Sequence, residues 1–216
     1  MNSDRKIIED AQTLYNKGEW EKTIDFIDML FTSRDEQQVA EINRIKSWSY
    51  YYLAIKGDES LKSKNLEKAE ECFRLALIKM EKKESIVSIL NGLPLVLWIQ
   101  GKRTEAWEIS DKAINKFPET PSIWNTRGIL CRWAKNFNEA VEVGQRVFET
   151  AVKVKDFRTA GHGKQNKADA LVQSERIEEA KKDYIEAIKM YKKYEEKTEE
   201  SALFHLKRVQ EKLSNL

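Results

Sequence analysis

A six-residue pattern recurs five times along the chain: Gly18-Glu-Trp-Glu-Lys-Thr23, Lys64-Asn-Leu-Glu-Lys-Ala69, Gly101-Lys-Arg-Thr-Glu-Ala106, Lys135-Asn-Phe-Asn-Glu-Ala140 and Glu175-Arg-Ile-Glu-Glu-Ala180. Each reads as a tight polar corner, usually an apolar residue, then an acidic or polar pair and a small residue. Four positions beyond the small residue stand Ile27, Phe73, Ser110, Gly144 and Tyr184. Further along come Leu30 and Phe31, Ala76 and Leu77, Ala113 and Ile114, Val147 and Phe148, and Ala187 and Ile188. Steps of four, then three or four, trace one stripe of an α-helix. The small residue at its start lets a neighbouring helix approach closely. A second helical stretch precedes each corner, most clearly at 121–133, where Pro121 suits a first helical turn and Trp124, Gly128 and Cys131 share a face. The repeating unit is therefore helix, corner, helix.

Composition agrees and removes other classes. With 8 Gly and 3 Pro among 216 residues, the chain lacks the turn signals that a sandwich or barrel needs every ~8–12 residues. At 41% hydrophobic and 10% aromatic, it is too apolar for a disordered chain. The 38 Lys and Arg against 36 Asp and Glu leave a net charge of +2, so no domain-wide basic field marks a nucleic-acid binder. The longest apolar run, 93–99, is seven residues, far short of the ~20 that span a membrane. No secretory leader pattern opens the sequence. Cys72 and Cys131 lie inside helical pattern and read as buried thiols of a reducing, cytoplasmic setting.

The repeat resembles the tetratricopeptide repeat (TPR) family. Residues 121–154 carry Trp124, Gly128, Phe137 and Ala140 at the family's signature positions; 87–120 carry Gly101, Ala106, Ala113 and Pro118. The resemblance implies an all-α fold, a right-handed α-solenoid of about five TPR-like helix hairpins plus a C-terminal capping helix. It is read as one domain, 1–216, with repeats at about 4–35, 36–84, 85–118, 120–156 and 157–197 and a cap helix at 199–214. Eleven helices are expected. The small residues of successive corners are 46, 37, 34 and 40 apart, so three steps exceed the family's 34 and require longer helices or loops. The longest step holds a long helical candidate from Glu36 to Lys56, stopped by Gly57 and Asp58. A solenoid must cover its last apolar face. The cap places Leu203, Leu206, Val209 and Leu213 on one stripe, with Lys207, Arg208, Glu211 and Lys212 on its other, solvated side.

Little in the chain points to catalysis. The two histidines, His162 and His205, are 43 positions apart and outside any metal-ligand spacing. Gly161-His-Gly-Lys164 lacks the spacer and following hydroxyl of a phosphate loop and reads as the flexible start of the fifth repeat's first helix. Glu70 with Glu71, and Glu178 with Glu179, point apart on helices and read as solvated faces. No catalytic residue, metal ligand or cofactor is assigned, and the chain is read as not an enzyme.

Function therefore rests on surfaces. In proteins of this family, ligand contacts come from the first helices of the repeats. Carried over by position, the concave groove is lined by Asn91 and Trp98 in the third repeat. The fourth contributes Asn125, Thr126, Arg132 and Trp133, and the fifth Gln165, Asn166 and Asp169. Amides both donate and accept, which suits reading an extended backbone; Trp and Arg supply anchoring energy. The same residues also fit a plain wet face. The resemblance implies a non-catalytic adaptor or scaffold that binds a peptide segment or helix of a partner protein. Chaperone C-terminal tails are disfavoured, because the positions of the family's two-carboxylate clamp read Asn91, Leu95, Thr126, His162 and Asn166, with the basic members missing. Two alternatives stay open: RNA binding through Arg127, Arg132, Arg158, Lys164, Lys167 and Trp133, and self-association through the aromatic helix around Trp48 to Tyr52. That helix is otherwise buried.

Overall fold

The computed structural model describes residues 3–198 and 201–216. Among the described residues there are eleven α-helices and no strand, as the repeat predicts. They are α1 (Ser3–Asn16), α2 (Trp20–Leu30), α3 (Glu36–Lys56), α4 (Lys62–Lys79), α5 (Lys83–Ile99), α6 (Arg103–Lys116), α7 (Pro121–Trp133), α8 (Phe137–Lys153), α9 (Phe157–Gln173), α10 (Ile177–Thr198) and α11 (Leu203–Ser214). Residues 199 and 200, the first two of the expected cap, lie outside the described residues. The helix expected from Glu36 to Lys56 has those bounds.

The corners share one hydrogen-bond arrangement. Gly18, Gly101, Lys135, Lys155 and Glu175 all adopt φ between 60° and 83°. Around each, two amides close onto the end of the preceding helix. At the α7–α8 corner the Lys135 amide donates to the Arg132 carbonyl and the Asn136 amide to the Cys131 carbonyl. The same pairs recur at Gly101, Lys155 and Glu175. This left-handed cap satisfies the helix's last carbonyls; it forms at four of the five repeat corners and at Lys155 between α8 and α9, and Lys135, Lys155 and Glu175 reach it without glycine, at the cost of a crowded Cβ. The second corner departs from expectation. Lys64 lies inside α4, and the turn has moved upstream to Gly57 and a 3₁₀ segment, Glu59–Leu61, capped by the Asp58 carboxylate. That displacement accommodates the longest repeat step.

The small residues do what their size allows. Thr23, Ala69, Ala106, Ala140 and Ala180 are all 0–2% exposed, so each stands in the packed interior and not on the polar surface of its corner.

The chain divides into two compact units, Met1–Ile109 and Ser110–Leu216. In the first, Ala11, Ile27, Ile42 and Ile45 form one core cluster, flanked by Ile8, Tyr15, Phe26 and Phe31. The aromatic helix is buried within this unit. Tyr50 and Tyr51 are buried, Trp48 meets Phe73 edge-on at 5.5 Å, and Tyr52 stacks on Trp20 at 5.1 Å. These rings are used inside the unit, which leaves the self-association reading without an exposed aromatic strip. In the second unit the core runs from Ala168 and Leu171 through Tyr184 and Tyr191 to Leu206 and Val209, so α11 covers the apolar face of α9 and α10. This is the role expected of the cap.

Gly161-His-Gly-Lys164 is not a flexible start. It sits inside α9, and its glycines are places of contact. A Cβ on Gly161 would fall 2.6 Å from the Tyr191 ring. One on Gly163 would lie 2.9 Å from the Phe148 amide, and one on Gly144 would lie 3.0 Å from the Gly163 carbonyl oxygen. At this crossing α8 and α9 meet backbone to backbone.

Candidate functional site

The expected contact residues fall in both units. In the first, Asn91 and Trp98 are half-buried on α5. The Trp98 ring meets Trp107 edge-on at 5.9 Å, and the Arg103 guanidinium lies over it at 5.3 Å. Both contacts hold the indole against its own unit.

In the second unit the first helices α7 and α9 face one another, and side chains join them twice. Asn166 Nδ2 donates to Asn125 Oδ1 at 2.8 Å. Among the described residues, Asn125 Nδ2 and Asn166 Oδ1 make no further bond, so the half-buried pair keeps one donor group and one acceptor to spare. Two turns further along α7, and one along α9, Arg132 Nη1 donates to Asp169 Oδ2. Asp169 is buried, and its other oxygen accepts from the Tyr184 hydroxyl at 2.6 Å and from Lys212 Nζ at 2.5 Å. Thus α7, α9, α10 and α11 meet on one carboxylate. Burial, followed by the bond to Asp169, raises the Tyr184 hydroxyl's pKa well above its ordinary value. Thr126 and Gln165 are buried, the latter accepting from the Tyr191 hydroxyl at 2.9 Å. Trp133 is half-buried at the last turn of α7.

Lys212 was expected on the solvated side of the cap. The structure turns it inward, because α11 docks with Leu206 and Val209 against α10 and brings Lys212 alongside α9. The four-residue step between Arg208 and Lys212, one helix face, is the signal that marks both for the same place. A second buried charge cluster went unread. Lys164 and Lys167 flank Asp183 at 2.8 and 3.1 Å, and both amines also donate to Gln145 Oε1 at 3.1 Å. Lys164 is therefore occupied structurally.

The histidines share the α9–α11 contact. His162 and His205 lie 4.8 Å apart, and His205 stacks on Tyr191 at 5.1 Å. Burial, with His205, Arg158 and Arg208 nearby, pushes His162 down to about 3; burial and the same two arginines lower His205. The folded state thus holds these rings neutral. Their contribution is complete above the unfolded value near 6.5 and is lost as pH falls from there toward the folded value. The unfolding free energy should drop between pH 7 and pH 5, with a smaller drop in His162→Phe. Equal slopes in the two proteins, followed by urea denaturation, would exclude this assignment.

Both cysteines are free and buried. Burial pushes Cys72 up to about 11 and Cys131 up to about 12, which makes them unreactive thiols. Among the described residues no group of three or more His, Cys, Asp or Glu side chains is placed to hold a metal ion. Nor, among the described residues, is any helix long and apolar enough to cross a membrane.

No family model and no curated relative matches the sequence. Among solved structures, the chain is similar to MamA (AMB-1), with a TM-score of 0.54 at 15% identity over 88% of this chain and 98% of that one. It is also similar to PilF of Pseudomonas aeruginosa, with a TM-score of 0.53 at 14% identity over 98% of this chain and 88% of that one. The likeness shows a TPR-like helical-repeat fold for this chain.

Proposed function

We propose that this protein is a non-catalytic interaction scaffold that binds a peptide segment or short helix of a partner protein along the first helices of its repeats. The observation that carries the reading is the Asn125–Asn166 pair. Its two amides fix each other's orientation and keep one donor group and one acceptor uncommitted. That complement matches one peptide unit of an extended chain, which offers one carbonyl and one amide. Arg132 and Trp133 stand on the same helix as Asn125 and supply anchoring contacts beside it. In the first unit Asn91 and Trp98 fill the corresponding role. Gln165 and Asp169 act from below this surface, orienting Tyr191 and Arg132 through the bonds described above.

A photo-crosslinker placed at position 129, one turn beyond Asn125 on α7, leaves the pair intact and tests the reading. A partner protein should be captured, and crosslinked peptides should map to one segment of it. Asn125→Ala and Asn166→Ala, each introduced into the protein carrying that crosslinker, should reduce capture severalfold while far-UV circular dichroism stays unchanged. Capture indifferent to both substitutions would overturn the assignment.

A further inference from the structure

A cavity of about 340 Å³ opens among α7, α9, α10 and α11. Its walls include Arg132, Asp169, Val172, Tyr184, Arg208 and Lys212. The charges do not balance. Three cationic side chains face one side-chain carboxylate, with the last residue, Leu216, also in the wall, and that side chain is already shared between Arg132, Lys212 and the Tyr184 hydroxyl. Arg208 is exposed and makes no hydrogen bond or ion pair among the described residues. The imbalance registers on Lys212. Burial lowers its pKa, the bond to Asp169 opposes that, and Arg208 and Arg132 lower it further. Cations held this close favour an additional anion.

We propose that this cavity is a binding site for a carboxylate, the side chain of a glutamate in a partner segment. The identification rests on the scaffold reading above only for the source of the glutamate. Arg208 presents a planar fork with all its donors uncommitted, the geometry that pairs with a carboxylate through two parallel bonds. Val172 and the Tyr184 ring give the cavity apolar wall, where the two methylenes of glutamate lose their contact with water. That apolar wall offers inorganic phosphate no partner, so a carboxylate carried on a methylene chain is favoured over a phosphate. The volume lies at the small end for ligand pockets, suited to a side chain or small molecule rather than a whole peptide. The site shares no residue with the family's clamp positions in this chain, and two of its three cations come from the capping helix.

The test uses nitrogen-15-labelled full-length protein and three probes: N-acetyl-glutamate α-amide, its glutamine counterpart and inorganic phosphate. The arginine Nε–Hε resonances of Arg208 and Arg132 should shift saturably with the glutamate probe and not with the glutamine probe. Arg208→Gln should weaken binding about tenfold or more, and Arg208→Lys, which keeps the charge but loses the fork, should fall between. Arg208 is exposed and unbonded, so unchanged thermal unfolding of both variants is expected and separates binding from folding. Absence of a saturable response, an equal response to the glutamine probe, tighter binding of phosphate, or full affinity in Arg208→Gln would each overturn the proposal. Because the probe is a single amino acid derivative, a negative result removes this pocket alone. The crosslinking result with the Asn125 and Asn166 variants then stands or falls separately.

Discussion

Replacing Asp183 by alanine should lower the unfolding free energy by about 3–5 kcal/mol, the usual consequence of removing one partner from a buried ion pair. Asp183 and Lys164 are only 7% and 8% exposed. In the variant the Lys164 amine, packed over the Phe148 ring at 4.5 Å, keeps only the neutral Gln145 as partner. Lys167 loses the same carboxylate. Asp183→Asn separates charge from shape: it keeps an acceptor of the same size yet should recover only a minor part of the loss. The double variant Lys164→Met, Asp183→Leu removes both buried charges and should be more stable than Asp183→Ala. Urea unfolding of the four proteins decides the matter. A loss below about 1 kcal/mol in Asp183→Ala would mean that Lys164 reaches water, and would sink the account.

Tyr191→Ala is expected to cost a similar amount, about 3–5 kcal/mol, as large-to-small changes of buried aromatics do. The ring is fully buried, stacked on His205 of α11 and closed on another side by Gly161 of α9. Tyr191→Phe isolates the hydroxyl: it strands the buried Gln165 Oε1 and should cost about 1–3 kcal/mol. Hydrogen exchange along 203–214 gives the second readout. Since α11 rests on this ring, its amides should exchange faster in Tyr191→Ala, and unchanged protection there would show that the cap is held by other contacts.

The helical framework was legible in the sequence because it depends on local signals. The stripes after Thr23, Ala69, Ala106, Ala140 and Ala180 repeat with helical period, and they lie on α2, α4, α6, α8 and α10. The second corner was misread because Lys64-Asn65 carries polar corner composition, whereas the displaced turn is set by Gly57 and Asp58. The glycines of α9 were misread as flexible because a local view prices glycine by its freedom. Their reason is Tyr191 and the backbone of α8, which are distant in sequence. The candidate site was legible in its residue types and largely illegible in its pairings. Asn125 and Asn166 are 41 positions apart and Asp169 and Lys212 are 43 apart, and no periodicity connects such residues until the helices are docked.

The glycine crossing of α8 and α9 has a mechanical consequence. Packed helices shear past one another when a layer of side chains between them shifts among rotamers. At Gly144 and Gly163 there is no such layer, since a single Cβ at either position would already overlap the facing backbone or its side chains. The two helices are therefore coupled like the flanges of one beam. Within this unit, any widening or narrowing of the space beside Asn166 has to come from α7 or α11 swinging against a stiff strut, so adaptability to differently shaped ligands resides at the unit's flanks, not in its middle.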